Sequence, residues 1–204
     1  MDIVSTIMNQ LMNQDSLDPI AKKTQVNTTE VQKVAQMGLP MIMEGLNQRT
    51  NQDEKVSAEL ASSVSKHSDD DTDHLSNFFQ QAEEREGNQL LDMAFGSNEQ
   101  EVESRLSQKT GVESPKVKSI LAMLAPLALS MLAKRSGSSN QMTGSGVSDL
   151  LGDLSGSVRK QSPSSDIGDI LSSVLGGSTK KPSSQSNNAL DNAKDALGSI
   201  FDKE

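Results

Sequence analysis

Three alternating aspartates have the spacing that most resembles a metal-binding loop. Asp69, Asp71 and Asp73 occupy the first, third and fifth places of a calcium-loop pattern. Such a loop needs glycine at its sixth place, for a sharp turn, and a bidentate glutamate at its twelfth. His74 and Gln80 stand there instead. We therefore expect these aspartates to lie hydrated in a loop and to place negative charge at the start of the next helix, where the helix dipole favours it.

The two histidines of the chain do not form a metal-ligand set by their spacing. His67 and His74 lie seven residues apart, and the sequence offers no third ligand at a usual distance. The chain has no cysteine, which also excludes disulfides, thiolate ligands and thiol catalysis. We therefore predict no metal site and no cofactor.

Two short motifs match signatures of serine β-lactamases and penicillin-binding proteins. Ser63-Val-Ser-Lys66 has the spacing of the nucleophile motif, and Lys109-Thr110-Gly111 matches a second signature. The Ser-Asp-Asn element is missing, and the Lys-Thr-Gly lies at a predicted helix end instead of on a strand. The sequence also contains no phosphate loop, dinucleotide fingerprint or zinc-protease motif. These observations predict a protein that is not an enzyme, and they identify no small-molecule substrate.

The segment 106–119 resembles a helix-turn-helix DNA reader. Gly111 would form the turn, and Lys116 and Lys118 would face nucleic acid from the second helix. However, this second helix continues into an apolar stretch, and the net charge of −9 repels phosphate at long range. A DNA-associated regulator is therefore kept as an alternative, with nucleic acid as a disfavoured partner.

The apolar run over residues 120–133 fits either a membrane surface or a protein core. The basic residues Lys134 and Arg135 at its end are typical of an interfacial helix. As a helix, a run of this length spans about 21 Å, which is short of the roughly 30 Å hydrocarbon layer. We favour a buried core helix and do not expect an integral membrane protein. A peripheral membrane-surface protein stays an alternative.

The overall composition indicates an aliphatic core. Only 33% of the residues are hydrophobic, 2% are aromatic and ten are methionine, and the mean hydropathy is −0.50. A core without tryptophan or tyrosine must be built from aliphatic side chains and methionine, which fills irregular gaps. The first residues lack the basic and long apolar regions of a signal peptide. We therefore expect a cytoplasmic protein.

The chain repeats itself at a constant offset of 86 residues. Pro40 falls on Pro126, and many apolar positions around them align at the same offset. Repetition of this kind indicates a structural unit that occurs twice. We define copy one as residues 1–50 and copy two as residues 88–136. Residues 51–87, between the copies, are predicted to form two connecting amphipathic helices.

Each copy is predicted to consist of a helix, a second helix, a turn and a long helix. We expect Thr28 and Ser114 to cap the long helices, with Pro115 in the first turn of the second one. Pro40 and Pro126 fall inside these helices, where a missing N–H group and a ring clash disfavour continuation. We therefore predict a kink or break at the same place in both copies, and packing of the copies about a pseudo-two-fold axis.

Residues 137–204 form a tail rich in serine and glycine, which is typical of a linker. Three short apolar islands at 149–154, 169–175 and 195–201 share the order aspartate, apolar, leucine, small, polar, apolar. Helices this short are marginal in water and need a partner surface. We predict that they bind hydrophobic grooves on this molecule or another, the alternative being a tail that only keeps the chain soluble. The residues expected to make these contacts are Leu150, Leu151, Ile170, Leu171, Leu175, Leu197 and Phe201.

Four stretches within residues 2–135 carry a family resemblance. They are Glu86-Gly87-Asn88-Gln89-Leu90-Leu91, Phe95-Gly96, Leu106-Ser-Gln-Lys-Thr-Gly-Val-Glu113 and Met123-Leu-Ala-Pro-Leu127. Together they resemble the bacterial family called domain of unknown function 937, which includes YidB-like proteins. The resemblance implies a small helical protein and supplies no catalytic residues.

These observations lead to one prediction of fold and one of function. The fold is predicted to be all-α, a duplicated helical-hairpin bundle with a low-complexity, partly disordered C-terminal tail. The function is predicted to be non-enzymatic interaction or self-assembly, with a protein partner or a second copy of the chain bound through the tail islands.

Overall fold

The computed structural model describes residues 3–137 and 143–161. All regular secondary structure in these two ranges is helical, so the prediction of an all-α fold is confirmed. The α-helices there are α1 (Ile3–Leu11), α2 (Gln14–Thr24), α3 (Thr28–Gln52), α4 (Glu54–Lys66), α5 (Leu75–Gln81), α6 (Glu84–Phe95), α7 (Glu99–Thr110), α8 (Ser114–Ser136) and α9 (Gly144–Gln161). A short 3-10 turn, Gly96–Asn98, joins α6 to α7.

Two helical hairpins of the described chain are built alike. The turn from α2 to α3 begins at Gln25 and the turn from α7 to α8 at Gly111; both residues have a left-handed backbone, with φ of 54° and 79°. Thr24 and Thr110 each donate their hydroxyl to the carbonyl four residues earlier, at 2.7 Å. These equivalent positions lie 86 residues apart. That the two hairpins arose by duplication stays a prediction.

The long helices are capped one residue earlier than predicted. α3 begins at Thr28, and the side chain of the preceding Asn27 accepts a hydrogen bond from a first-turn backbone N–H at 2.8 Å. α8 begins at Ser114 after Glu113, which makes no side-chain capping bond, and Pro115 lies in its first turn as expected. The predicted caps Thr28 and Ser114 were wrong. At the first of them the reason is that asparagine is the better N-cap residue than threonine.

Both prolines lie inside continuous helices. α3 runs through Pro40 and α8 through Pro126, so of the predicted kink or break the break is wrong, while the kink stays a prediction. Each helix buries apolar side chains on both sides of its proline; Leu39 and Met41 beside Pro40 are completely buried. The burial of several such side chains outweighs the loss of one backbone hydrogen bond.

α8 forms the centre of the bundle. Residues 120–133 are all buried. The apolar run therefore lies in the protein core, which is the location we favoured from the sequence. α6 lies against α8 so closely that a Cβ at Gly87 would be 1.7 Å from the carbonyl oxygen of Ala122. Only glycine, which has no Cβ, allows the two backbones to approach at this point.

The described helices share one hydrophobic core. The buried apolar residues form a single cluster that runs from Ile7 in α1 to Leu154 in α9. The predicted boundaries after residues 50 and 87 fall inside α3 and α6. The division into two copies and a connector therefore stays a prediction about the sequence, while the packing unit is the whole described bundle.

The tail contributes one of the helices. α9 contains the first island, residues 149–154, and extends beyond it at both ends. Residues 138–142 and 162–204 lie outside the described residues. The second and third islands fall in the latter range, and the predicted partial disorder of the tail concerns these residues.

Candidate functional site

The first tail island lies in a groove of the bundle. α9 packs along α3 and α4 and also contacts α1 and α8. The side chains of Val147, Leu151 and Leu154 are completely buried, and their spacing of i, i+4 and i+7 places them on one helix face. We call the surface of α3, α4 and α8 that these three side chains cover the α9 groove. It is an apolar docking site for a helix.

Polar contacts between described residues also connect α9 to the bundle. The Ser57 hydroxyl of α4 donates to the carbonyl of Gly144 at 2.7 Å. Arg135, near the end of α8, forms an ion pair with Asp153 at 3.7 Å, and the Asp153 side chain is 73% exposed. Exposed ion pairs contribute little to stability. The apolar face of α9 therefore supplies most of the docking free energy.

α9 has a weak intrinsic tendency to form a helix. Each glycine inside a helix costs about 1 kcal/mol relative to alanine, and α9 contains Gly144, Gly146, Gly152 and Gly156. Ser155 is also buried, and its hydroxyl has no hydrogen-bond partner among the described residues, which is unfavourable for a group removed from water. Packing in the groove, and not helix propensity, therefore stabilises α9.

The described residues include two of the seven predicted contact residues. Leu151 is completely buried in the α9 groove, and Leu150 is partly buried against the core. Val147 and Leu154, which share the face of Leu151, were not among the predicted contact residues. The other predicted residues lie outside the described residues: Ile170, Leu171, Leu175, Leu197 and Phe201.

The two lysines predicted as alternative nucleic-acid contacts lie beside carboxylates. Lys118 Nζ is 2.8 Å from Glu99 Oε1 and 3.7 Å from Glu103 Oε1, both on α7. The hydrogen bond with Glu99 raises the pKa of Lys118. Lys116 pairs with Glu113 at 3.6 Å. Since these acidic groups offset the lysine charges and the rest of α8 is core, this arrangement does not favour phosphate binding.

The buried carboxyl of Glu103 gives a pH-dependent prediction. Burial raises the pKa of Glu103 from its ordinary value of 4.5, and Lys118 opposes the rise. Because the folded-state pKa is raised, loss of the Glu103 proton is less favourable in the folded protein than in the unfolded chain. The contribution of this group to the free energy of unfolding is therefore complete below pH 4.5 and is lost as the pH rises through the folded-state pKa. We expect Glu103→Gln to raise the free energy of unfolding in urea at pH 7 and to leave it nearly unchanged at pH 3.5. An equal change in the free energy of unfolding at both pH values would show that it comes from packing and not from the titration of Glu103.

A partly buried polar network links α8 to the loop after α4. Asp70 Oδ2 accepts a hydrogen bond from Ser130 Oγ at 2.5 Å and lies 2.6 Å from His67 Nδ1. His67 Nε2 lies 3.1 Å from Glu86. In a catalytic triad the histidine stands between serine and aspartate and takes the hydroxyl proton. Here the aspartate stands between them and Ser130 is completely buried, so the network joins segments and does not activate a nucleophile.

The described residues give little support for a metal site or a membrane span. Within residues 3–137 and 143–161, no three potential ligands of the types histidine, cysteine, aspartate and glutamate are grouped to hold a metal ion. α8 is the one described helix that is long and apolar enough to cross a membrane, and 83% of its most apolar window is buried in the bundle. Since the core helices of soluble proteins pass the same test, α8 is weak evidence for a span.

The fold and the groove define a class of protein, an all-helical bundle with a helix docked on its side. A family model described as bacterial protein of unknown function (DUF937) matches residues 6–135. The match covers more than half of the chain, so the chain belongs to this family, as the resemblance implied. No curated protein and no solved structure matches the chain. The matched residues end before α9, so the docked helix lies outside the family match.

Proposed function

We propose that this protein is a non-enzymatic, cytoplasmic interaction protein that self-associates through its tail and needs no cofactor. The tail islands of one copy bind as short helices in the α9 groove of another copy. One observation carries the proposal: the first island already lies in this groove as a helix, with Leu151 and Leu154 completely buried. Recognition of a helix in a groove uses apolar anchors at the i, i+4 and i+7 positions, which is the arrangement found in α9.

The surface of the described bundle supports a mechanism that depends on the tail. Among the described residues, Met12 is the one large hydrophobic side chain that is exposed, at 54%. Association through apolar burial requires a contiguous apolar patch on each partner. Such a patch becomes available when a helix leaves the α9 groove or when a tail island is free. Contact between preformed faces of two bundles is therefore the less favoured mechanism.

Several islands on one tail would strengthen the association by avidity. A single short helix offers a small apolar face, and the entropy lost on binding leaves one such contact weak. A second island on the same tail binds at a high effective concentration once the first is bound, which raises the overall affinity by roughly a hundredfold or more. Self-association should therefore depend steeply on the number of intact islands.

Four substitutions in the second and third islands test this proposal. Because a buried carboxylate is strongly unfavourable, aspartate at these positions prevents an island from entering a groove. We expect the wild-type chain to form larger species as its concentration rises and the variant to stay at the chain mass of 21.8 kDa. Light scattering coupled to size-exclusion chromatography measures the difference. The substitutions are Ile170→Asp, Leu171→Asp, Leu197→Asp and Phe201→Asp.

A matched control places the same four charges elsewhere in the tail. The polar stretch between the second and third islands accepts them without loss of an apolar side chain, and this control is expected to assemble like the wild type. A wild-type chain that stays at 21.8 kDa at every concentration, or a control that loses assembly equally, contradicts the proposal. The control substitutions are Ser183→Asp, Ser184→Asp, Gln185→Asp and Ser186→Asp.

A further inference from the structure

The tail carries a second copy of the face that α9 buries. Residues 164–175 repeat the pattern of residues 144–155 at an offset of 20. A helix over the second segment would therefore present apolar side chains at the same three positions. Pro163 immediately before it is tolerated in the first turn of a helix. The matched pairs are Val147 with Ile167, Leu151 with Leu171, and Leu154 with Val174.

One position of the groove suits the second segment better than it suits α9. Ser155 is 5% exposed, and its hydroxyl has no hydrogen-bond partner among the described residues. The residue at the matching position of the second segment is Leu175. An apolar side chain there removes a buried unpaired hydroxyl, which favours binding by a factor of about five or more.

The chain connection, in contrast, favours α9. α8 ends at Ser136, and residues 137–143 connect it to α9, whereas residues 137–163 would connect it to the second segment. The longer loop is about eightfold less favourable to close. Since the two effects are similar in size and opposite in sign, neither segment excludes the other from the groove.

We propose that residues 164–175 bind the α9 groove in a register shifted by 20 residues, in alternation with α9. This inference rests on the proposed function, because it takes the α9 groove as the docking site of the tail islands. It adds that residues 164–175 are the island that binds there. When the second segment is bound, α9 is released. The face of Val147, Leu151 and Leu154 is then available to the groove of a second copy, which gives self-association a specific route.

Engineered disulfides test this register, because the chain has no cysteine of its own. A Cβ at Gly144 would lie 3.3 Å from the Cβ of Ser57, which is close to the separation in a disulfide. A shift of 20 residues brings Ser164 to the place of Gly144. We expect the full chain with Ser57→Cys and Ser164→Cys to form this disulfide in a glutathione buffer, at least fivefold more than a control with Ser57→Cys and Ser178→Cys. Peptide mass spectrometry measures the yields.

The outcomes separate this inference from the proposed function. A disulfide within one chain supports the shifted register alone, and a disulfide between two chains supports both the register and self-association. A yield no higher than that of the Ser178 control overturns the register, and so does a yield that survives the additional substitution Leu171→Asp. If the register fails while the mass of the wild-type chain still rises with concentration, self-association stands through another segment.

Discussion

Replacing Gly87 by alanine is expected to lower the free energy of unfolding by about 3 kcal/mol. The added Cβ would lie 1.7 Å from the carbonyl oxygen of Ala122 and 2.7 Å from its Cα, so the backbones of α6 and α8 must move apart. Because α8 is the centre of the core, this separation loosens the packing of the whole bundle. Urea denaturation followed by circular dichroism measures the loss.

The matched control for this substitution is Gly152→Ala in α9. Gly152 is exposed, and no described atom lies within 4 Å of a Cβ at this position. Alanine there should raise the stability by up to about 1 kcal/mol, because it favours a helix more than glycine does. If both substitutions have the same effect, the close approach of α6 to α8 is not what requires glycine at position 87.

The second large effect is expected at Leu151. The substitution Leu151→Asp places a carboxylate at a completely buried position of the α9 groove. Since burial of an unpaired charge is far more unfavourable than undocking a weak helix, α9 should leave the groove. We expect backbone amides of residues 144–161 to exchange with solvent at least tenfold faster, while α8 keeps its protection. Hydrogen exchange followed by mass spectrometry measures both regions.

Gly152→Asp provides the matched charge for this experiment, because Gly152 is on the exposed side of α9. It should change the exchange rates little. Wild-type protection in the Leu151→Asp variant would mean that α9 does not depend on its apolar face. The docking of a helix in a groove would then be contradicted, together with the function proposed from it.

Local patterns in the sequence predicted much of the bundle. The offset of 86 residues predicted two hairpins, and equivalent turn residues, Gln25 and Gly111, indeed share a left-handed backbone. Two amphipathic helices were predicted within residues 51–87, and α4 lies there with Leu60 and Val64 buried. Such features depend on residues that are near one another in the chain, and they are therefore visible in the sequence.

Other features depend on energies that a local pattern does not contain. From local geometry Pro40 was expected to kink or break its helix, but the burial of neighbouring side chains stabilises a continuous α3. The approach of Gly87 to Ala122 and the hydrogen bond from Ser130 to Asp70 join residues that are far apart in the chain. Tertiary packing creates these contacts, and no spacing in the sequence indicates them.

Only part of the docking face of α9 could be recognised in the sequence, because tertiary packing determines which side of the helix is buried. Leu150 and Leu151 are both leucines of the same island, yet Leu151 is completely buried and Leu150 only partly. The face is set by the contact of α9 with α3 and α4, which selects one side of a glycine-rich helix. The sequence thus predicted that an island would dock, and the structure was needed to identify Val147 and Leu154 as its other anchors.

A mixture of two single-cysteine chains tests most directly whether a tail helix of one copy binds the groove of another. One chain carries Ser57→Cys and the other, labelled with a heavy isotope, carries Gly144→Cys. A chain with both substitutions should close an internal disulfide and so show that the geometry permits the bond. We expect the mixed chains to form a disulfide-linked heterodimer whose yield rises with concentration. Absence of this heterodimer, while the doubly substituted chain closes internally, would contradict the binding of α9 from one copy in the groove of another.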